Sequence, residues 1–584
     1  MNQYKLIWRE LIREVVSKES GRSIDLEEII VETPPRPELG DLAFPMFPFA
    51  PLFRTSPKEI AERVAGAIKQ DHHAETTYRK VEVQGPYLNI HLSRPIVSAS
   101  ILTRINREGR EYGRNSTLAG SKVMVEFSCP NTNKPLHLGH LRNDTLGMSI
   151  SSIMEENGAA VLKVNLINDR GIHICKSMLA YREFGGNTTP GQENIKGDHL
   201  VGKYYVRFNS WVKDNPEAEE AAREMLIAWE GNQPEVRELW EKMNNWAIEG
   251  IEETYRRTGV SFDRIYRESE TYRLGREEVL RGLEKKTFYR EKDGSVWVDL
   301  SDQNLDKKVL LRSDGTTLYL TQDIGTAVQR QEHWPFNRLI YVVASEQRYH
   351  FQVLFQVLKL LGHQWAENLF HLAYGMVNLP QGKMKSREGT VVDADDLLDS
   401  LVSLAEKEIR DRERTGEIDD IRQTAEKIAL GALNYYLLQA SPYKDMIFNP
   451  AESILFTGNT GPYLQYTGAR IASILRKFRE RGASFSSARV KPELLTTEEE
   501  WEIVKLLASY PEVVNQAAAE LNPALITGYL YDLAKSFSRF YHDHPVLHND
   551  NADLVVTRIE LANSVLQVMR NGLSIIGVPF LEKM

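Results

Sequence analysis

The chain has 584 residues, 42% of them hydrophobic and 26% charged, and a formal net charge of −9. That balance describes a globular protein of three to four domains and excludes a disordered or uniformly basic chain, so any RNA contact must come from local patches. Two cysteines, Cys129 and Cys175, exclude a disulfide framework, and no apolar run reaches the ~20 residues needed to cross a bilayer. The opening MNQYKLIWRELIREVV lacks the apolar core of a signal peptide, so the expected setting is the cytoplasm, away from any membrane. Its Ile7, Leu11, Ile12, Val15 and Val16 mark an amphipathic helix. A Pro-rich turn region (TPPRPELGDLAFPMFP), a helix near 57–70 and strands KVEVQ and YLNIHL around Gly85-Pro86 complete a small α+β unit over 1–109. Residues 108–121 have the composition of a linker.

A second unit spans 120–394. Strand-like runs KVMVEF, VLKVNLI, SVWVDL, RLIYVVA and LFHLAYGMV alternate with helical stretches, which predicts an α/β domain built on a mostly parallel sheet with helices on both faces. Between about 193 and 257 the chain turns polar, charged and helical, with Trp211, Trp229, Trp240 and Trp246; this reads as a helical insertion with tryptophan packing anchors. From 395 to 584 the apolar spacing is helical almost throughout, an all-α bundle.

The most informative stretch is 128–144, SCPNTNKPLHLGHLRND. Its kernel, His137-Leu138-Gly139-His140, falls where a strand gives way to a helix. Such a place suits phosphates, because the first N–H groups of a helix are unpaired and its dipole is positive there. A glycine lets a flat base approach the backbone. A zinc site would need three or four ligands at suitable spacing; neither HExxH nor a partnered cysteine is present, so neither metal ligands nor structural zinc are expected. Further along, in GTTLYLTQDIG (315–325), Tyr319 and Asp323 lie four apart and share a helix face. A ring that stacks and a carboxylate that accepts a forked N–H pair suit a guanidinium. Arg470, Lys477 and Arg481 form one stripe of a late helix, the best local patch for a phosphate backbone.

A bare HxGH also occurs in small nucleotidylyltransferases. The longer text EFSCPNTNKPLHLGHLRND resembles the HIGH signature of class I aminoacyl-tRNA synthetases in the form carried by the arginyl-tRNA synthetases, and the resemblance extends over essentially the whole chain. It implies a Rossmann-type catalytic domain with a helical insertion, between a small α+β N-terminal domain and an all-α C-terminal bundle. It implies activation of L-arginine by ATP with Mg2+ and transfer to the 2′-OH of the terminal adenosine of tRNA(Arg), by a monomer whose adenylate step needs bound tRNA. His137, Gly139 and His140 would meet ATP, with Lys134 as a fixed positive charge upstream. The counterpart of the second class I signature is GKMKSREGTVVDADDLL (382–398), which keeps Lys383 and Met384 and then departs from it, leaving Lys383, Lys385 and Arg387 as alternative pyrophosphate contacts. By the same resemblance Glu126, Asn131, Tyr319, Asp323 and Gln347 would bind arginine, with His350 near Gln347. Gln84, Tyr87 and Asn89 would reach the tRNA elbow, and Tyr541 and Met584 the anticodon loop.

Overall fold

The computed structural model describes residues 1–69, 78–380, 392–411, 418, 420–481 and 489–584. The first helix is α1 (Asn2–Ser20), followed by β1 (Leu42–Pro45), α2 (Pro57–Ile68), β2 (Tyr78–Gln84), β3 (Tyr87–Leu92) and α3 (Arg94–Glu108). The three strands form an antiparallel sheet in the order β1-β3-β2. The buried row of α1 is Tyr4, Trp8, Ile12 and Val16, whereas Ile7 is 38% exposed. The apolar count drew the stripe too far round, because Trp8, fully buried and edge-on to the Tyr78 ring, takes the inward position rather than Ile7. The expected linker is an anchor: Tyr112 is buried and donates to the Leu507 carbonyl at 2.8 Å.

The central sheet contains β4 (Lys122–Glu126), β5 (Ala160–Ile167), β6 (Arg264–Arg267), β10 (Arg338–Ala344) and β11 (Leu369–Tyr374), all parallel, in the order β11-β10-β4-β5-β6. The stretch SVWVDL is not in it. Val296–Val298 is β8, the middle of a small antiparallel sheet with β7 (Tyr289–Arg290) and β9 (Lys308–Leu311). Val296 and Val298 are buried while Trp297 is half-buried, the alternation of a one-sided antiparallel strand; a central parallel strand is apolar on both faces. The fifth parallel strand, RIYR, escaped notice because an edge strand tolerates charge.

Helix α4 (Leu138–Glu156) follows β4 and α5 (Ile172–Phe184) follows β5. A Cβ at Gly147 would lie 2.1 Å from the Phe127 ring, so glycine lets α4 close down on the strand end. The insertion comprises α6 (Gly197–Asp214), α7 (Glu217–Glu230) and α8 (Pro234–Thr258), packed with α5 around buried Phe208 and Trp229. Helices α9 (Glu268–Glu284), α10 (Tyr319–His333) and α11 (Arg348–Leu360) complete the α/β layers, and β12 (Val377–Asn378) follows β11.

The C-terminal bundle holds α12 (Ala394–Asp411), α13 (Ile421–Leu438), α14 (Gly461–Glu480), α15 (Glu498–Glu520), α16 (Ala524–Asp543) and α17 (Ala552–Ile575). Its short strand β13 (Met446–Ile447) pairs with β12. Helices α1 and α3 pack on α15, so the N-terminal module and the bundle share one core. No helix among the described residues is long and apolar enough to cross a membrane.

Candidate active site

The sheet order fixes where a site belongs. From β4 the chain steps outward through β5 and β6, then returns to β10 on the other side of β4 and continues to β11. A crevice therefore opens beyond the carboxyl ends of β4 and β10, at the switch in direction where ligands of open α/β sheets bind. Glu126 ends β4 and lies in register with Tyr341 of β10.

Past Glu126, Ser128 and Cys129 both adopt the left-handed region, φ 74° and 49°. Two consecutive non-glycine residues there need support. Ser128 N–H donates to Asn143 Oδ1 at 2.6 Å, and Cys129 N–H to Asn165 Oδ1 at 3.1 Å. Asn131 is half-buried beside Asn168, with which its backbone forms a parallel bridge. Lys134 has no ion-pair partner among the described residues, and burial lowers its pKa. With His137, His199, Lys203, Tyr205 and Asp393 it borders a cleft of about 210 Å³.

The histidines differ from the simplest expectation in one respect. The first N–H groups of α4 are already occupied: Leu138 N–H donates to the Val392 carbonyl, and Gly139 N–H to His137 Nδ1, both at 3.1 Å. His137 N–H likewise donates to His140 Nδ1 at 3.1 Å. Backbone donors are thus exchanged for side-chain donors. With both Nδ1 atoms accepting, each neutral ring carries its proton on Nε2. Burial, then the Lys134 charge, pushes His137 down to about 4; burial, then His137, holds His140 well below its ordinary value. Both rings are neutral N–H donors at neutral pH. Gly139 makes room for one of them, since a Cβ there would lie 2.8 Å from His137 Cε1. Two such donors and a lysine fit an anionic phosphate chain.

Across the crevice, Tyr319 opens α10 with 61% of its surface exposed, and Asp323 stands one turn on. His350 Nε2 lies 2.6 Å from Asp323 Oδ2. Burial works to lower the His350 pKa, but the hydrogen bond and charge of Asp323 prevail and raise it. Glu126 is buried and ion-paired to the buried Arg330, so its charge is already compensated by the protein. Gln347 is exposed in the turn after β10.

Sequence reasoning missed Glu268. It opens α9, is 5% exposed, and makes no ion pair among the described residues. Burial, then the Asp323 charge, pushes its carboxyl up to about 8, and it acts on Tyr319 as well. A second carboxylate close enough to act on both Asp323 and Tyr319 is the acceptor that a planar five-donor cation requires. The signal was absent because RESETYR reads as an ordinary charged helix start.

Lys383, Lys385 and Arg387 lie outside the described residues. Arg470, Lys477 and Arg481 converge with Tyr541 and Met584 on one groove of about 610 Å³ between α14, α16 and the C-terminal segment. The Arg470 guanidinium sits 4.4 Å from the Tyr541 ring centroid. Arg481 donates to the Leu547 carbonyl, and Met584 is a buried wall of the groove. Gln84 is exposed and Tyr87 half-buried at the β2–β3 turn, with the exposed Phe47 edge-on to Tyr87 at 5.8 Å; Asn89 is buried in the central strand.

Comparison with known proteins covers the same regions. The model described as tRNA synthetases class I (R), catalytic domain, matches residues 102–450; the DALR anticodon binding domain matches 464–584, and the arginyl tRNA synthetase N terminal domain matches 6–92. An arginine–tRNA ligase of Treponema denticola is 54% identical over 100% of both chains. One from Borrelia hermsii is 44% identical over 99% of this chain and 98% of its own. The solved arginyl-tRNA synthetase of Thermus thermophilus superimposes with a TM-score of 0.78 at 26% identity, over 99% of each chain.

Proposed function

The chain belongs to the arginyl-tRNA synthetases, class I ligases that join arginine to its tRNA using ATP, and from that premise we propose that the crevice beyond β4 and β10 holds both small substrates, ATP at the HLGH turn and arginine against α9 and α10. One observation carries the reading: two neutral imidazole N–H donors and Lys134 follow β4 at the switch point, and Asp323 of the Tyr319 and Glu268 cluster acts on Glu126 at the end of that same strand.

In the overall reaction a carboxylate oxygen of arginine attacks the α-phosphorus of ATP and the bond to the β-phosphate oxygen breaks. Pyrophosphate leaves, and arginyl-adenylate remains. A hydroxyl of the terminal tRNA adenosine, assigned here as the 2′-OH, then attacks the activated carbonyl and releases AMP. In our assignment His137 and His140 donate Nε2–H to phosphate oxygens as negative charge develops, and Lys134 adds a fixed cation; positioning and electrostatics do the work without a covalent enzyme intermediate. Lys383, Lys385 and Arg387 remain alternative pyrophosphate contacts. Asp393 and Asp395, next to the HLGH turn at the start of α12, are engaged, Asp395 by Lys196 and Asp393 facing His199. Mg2+ is therefore assigned to the phosphates themselves, in keeping with its preference for few protein ligands.

Arginine lies with its guanidinium between Asp323 and Glu268, stacked on Tyr319. Asn131 faces its α-amino and carboxyl end, and Gln347 holds a further position of the pocket. Glu126 serves the substrate's cationic groups, as a carboxylate held in place by Arg330. Lysine, a point charge, would leave fork acceptors unpaired at ~1–3 kcal/mol per buried group.

We assign residues 1–109 to the tRNA elbow through Gln84 and Tyr87, with Asn89 buried in the strand beneath them, 120–394 to catalysis with the insertion at 193–257, and 395–584 to the anticodon stem and loop. The protein acts as a cytoplasmic monomer. The groove lined by Arg470, Lys477, Arg481 and Tyr541 takes the anticodon loop, whose unpaired bases stack on aromatic faces. Arg470→Ala and Lys477→Ala are each expected to lower the slope of log affinity for tRNA(Arg) against log salt by ~0.7–0.9. Filter binding from 50 to 300 mM salt, roughly the range where counterion release dominates, measures it; an unchanged slope in both variants removes the groove from the interface.

Pyrophosphate exchange tests the reading as a whole. Exchange is expected to require arginine among the twenty amino acids and to rise steeply when tRNA(Arg) is added. Exchange supported by another amino acid overturns the pocket assignment, and full exchange without tRNA overturns the tRNA requirement.

A further inference from the structure

Arg142 lies in the second turn of α4, two residues past His140, and is fully buried. Among the described residues no carboxylate pairs with its guanidinium. Its partners are backbone carbonyls from two separate segments: Met376 at 2.9 Å, Lys444 at 2.8 Å and Pro442 at 3.3 Å, with the Tyr374 ring 5.8 Å away. An apolar side chain fills a buried slot without the desolvation that a guanidinium incurs, so packing alone does not account for an arginine here. What the guanidinium adds is a rigid fork that reaches several acceptors at fixed angles.

Those acceptors join three parts of the protein. Met376 lies just past β11, on the stem that leads into residues 381–391. The stem that leaves them is held to the HLGH turn: Leu138 N–H donates to Val392 and Ala394 N–H to Leu136, both at 3.1 Å, and His137 bridges Asp393. Both stems of the segment containing Lys383, Lys385 and Arg387 are thus tied to the turn and helix that carry the two histidines. Pro442 and Lys444 belong to the connection between α13 and β13 in the C-terminal bundle. Gly375 N–H donates to the same Pro442 carbonyl at 2.9 Å, and Met376 N–H to Asp445 Oδ1 at 2.7 Å. A Cβ at Gly375 would fall 2.3 Å from the Lys444 carbonyl carbon, so the joint closes only around glycine.

We propose that Arg142 is a positioning residue for adenylate formation, the joint that sets the HLGH histidines, the chain at Met376 just past β11 and the first connection of the C-terminal bundle at one fixed spacing. The inference rests on the ATP-site reading above. Arg142 touches neither substrate, so its loss acts on the rate of the chemical step and leaves binding alone.

Arg142→Lys keeps the charge and loses the fork; Arg142→Met keeps the volume and loses both. Gly375→Ala strains the joint from the other side with Arg142 intact. In single-turnover assays with saturating arginine, ATP and tRNA, each variant is expected to form adenylate ~10- to 100-fold more slowly, the scale set by small misplacements of reacting groups. Dissociation constants for arginine and tRNA should stay within about twofold, too small a change to matter beside that loss of rate. If Arg142→Met does not fold, the other two variants decide. A wild-type rate in the folded variants overturns the proposal, and so does a loss of arginine and tRNA affinity in step with the rate, the pattern of a merely structural defect. His140→Ala separates the two levels of inference: if it loses rate while the Arg142 variants keep it, the joint alone is wrong; if it too keeps the rate, the ATP-site reading is wrong.

Discussion

Asp323→Ala is expected to raise the KM for arginine by about two to three orders of magnitude, with tRNA binding near that of the unaltered enzyme, because removing one partner of a largely desolvated charge pair costs ~2–5 kcal/mol. Asp323 sits on α10, away from the basic groove of α14 and α16, so the two readouts separate. Glu268→Gln should act on the same step and also change its pH dependence. The free carboxyl, pushed up to about 8 by burial and then by Asp323, is mostly protonated at neutral pH. Bound arginine needs it ionised, so binding releases a proton. The sign follows: below about pH 8 arginine affinity rises with pH, roughly tenfold per unit at most, and it levels off above. The glutamine variant should lose that slope. Calorimetry in buffers of different ionisation enthalpy measures the released proton; a flat profile in the unaltered enzyme would remove Glu268 from the guanidinium site.

His140→Ala should lower the rate of adenylate formation by about 10²–10³-fold, the usual loss when one preorganised donor to a developing oxyanion is removed. The KM for ATP should change much less, since the interaction strengthens as charge accumulates. Because burial, then the Lys134 charge, pushes His137 down to about 4, and burial, then His137, holds His140 well below its ordinary value, both rings stay neutral around neutral pH. The rate of adenylate formation at saturating substrates should therefore show no acid limb from these residues in that range. Rapid-quench single turnovers across pH check both points. An imidazole-like limb near pH 6.5 would mean that the rings act as cations, contrary to their hydrogen bonding.

The two effects differ in how far they were legible. The histidine pair, its glycine and the strand-to-helix setting stand within one short run of sequence, and so do Tyr319 and Asp323, one helical turn apart. Local spacing is enough there, because a turn or a helix face is fixed by backbone geometry. Glu268 was invisible by the same logic: its partner Asp323 is 55 positions later, and nothing in RESETYR distinguishes a pocket carboxylate from a helix-start charge. Glu126 shows the converse. Its position at a strand end was readable, but not that Arg330, two turns beyond Asp323 on the same helix, already compensates it.

Strand assignment failed for a related reason. SVWVDL has the alternation of a strand and is one, yet which sheet it joins depends on what covers its second face. The edge strand RIYR carries arginines at both ends and became a strand only by pairing with β5.

By itself the sequence determined the chemistry: a phosphate-binding turn, a guanidinium-binding helix face, an α/β core between an α+β module and a helical bundle, and through these motifs the family. Each is written in contacts between near neighbours, where a few dihedral angles decide the geometry. Only the tertiary structure decided which donors remain free at the turn, which carboxylate is unpaired and which is held by an arginine, and how Arg142 ties the catalytic turn to the bundle. Those depend on which atoms meet across hundreds of residues. Burial then sets protonation and hydrogen bonding, and no local pattern encodes burial.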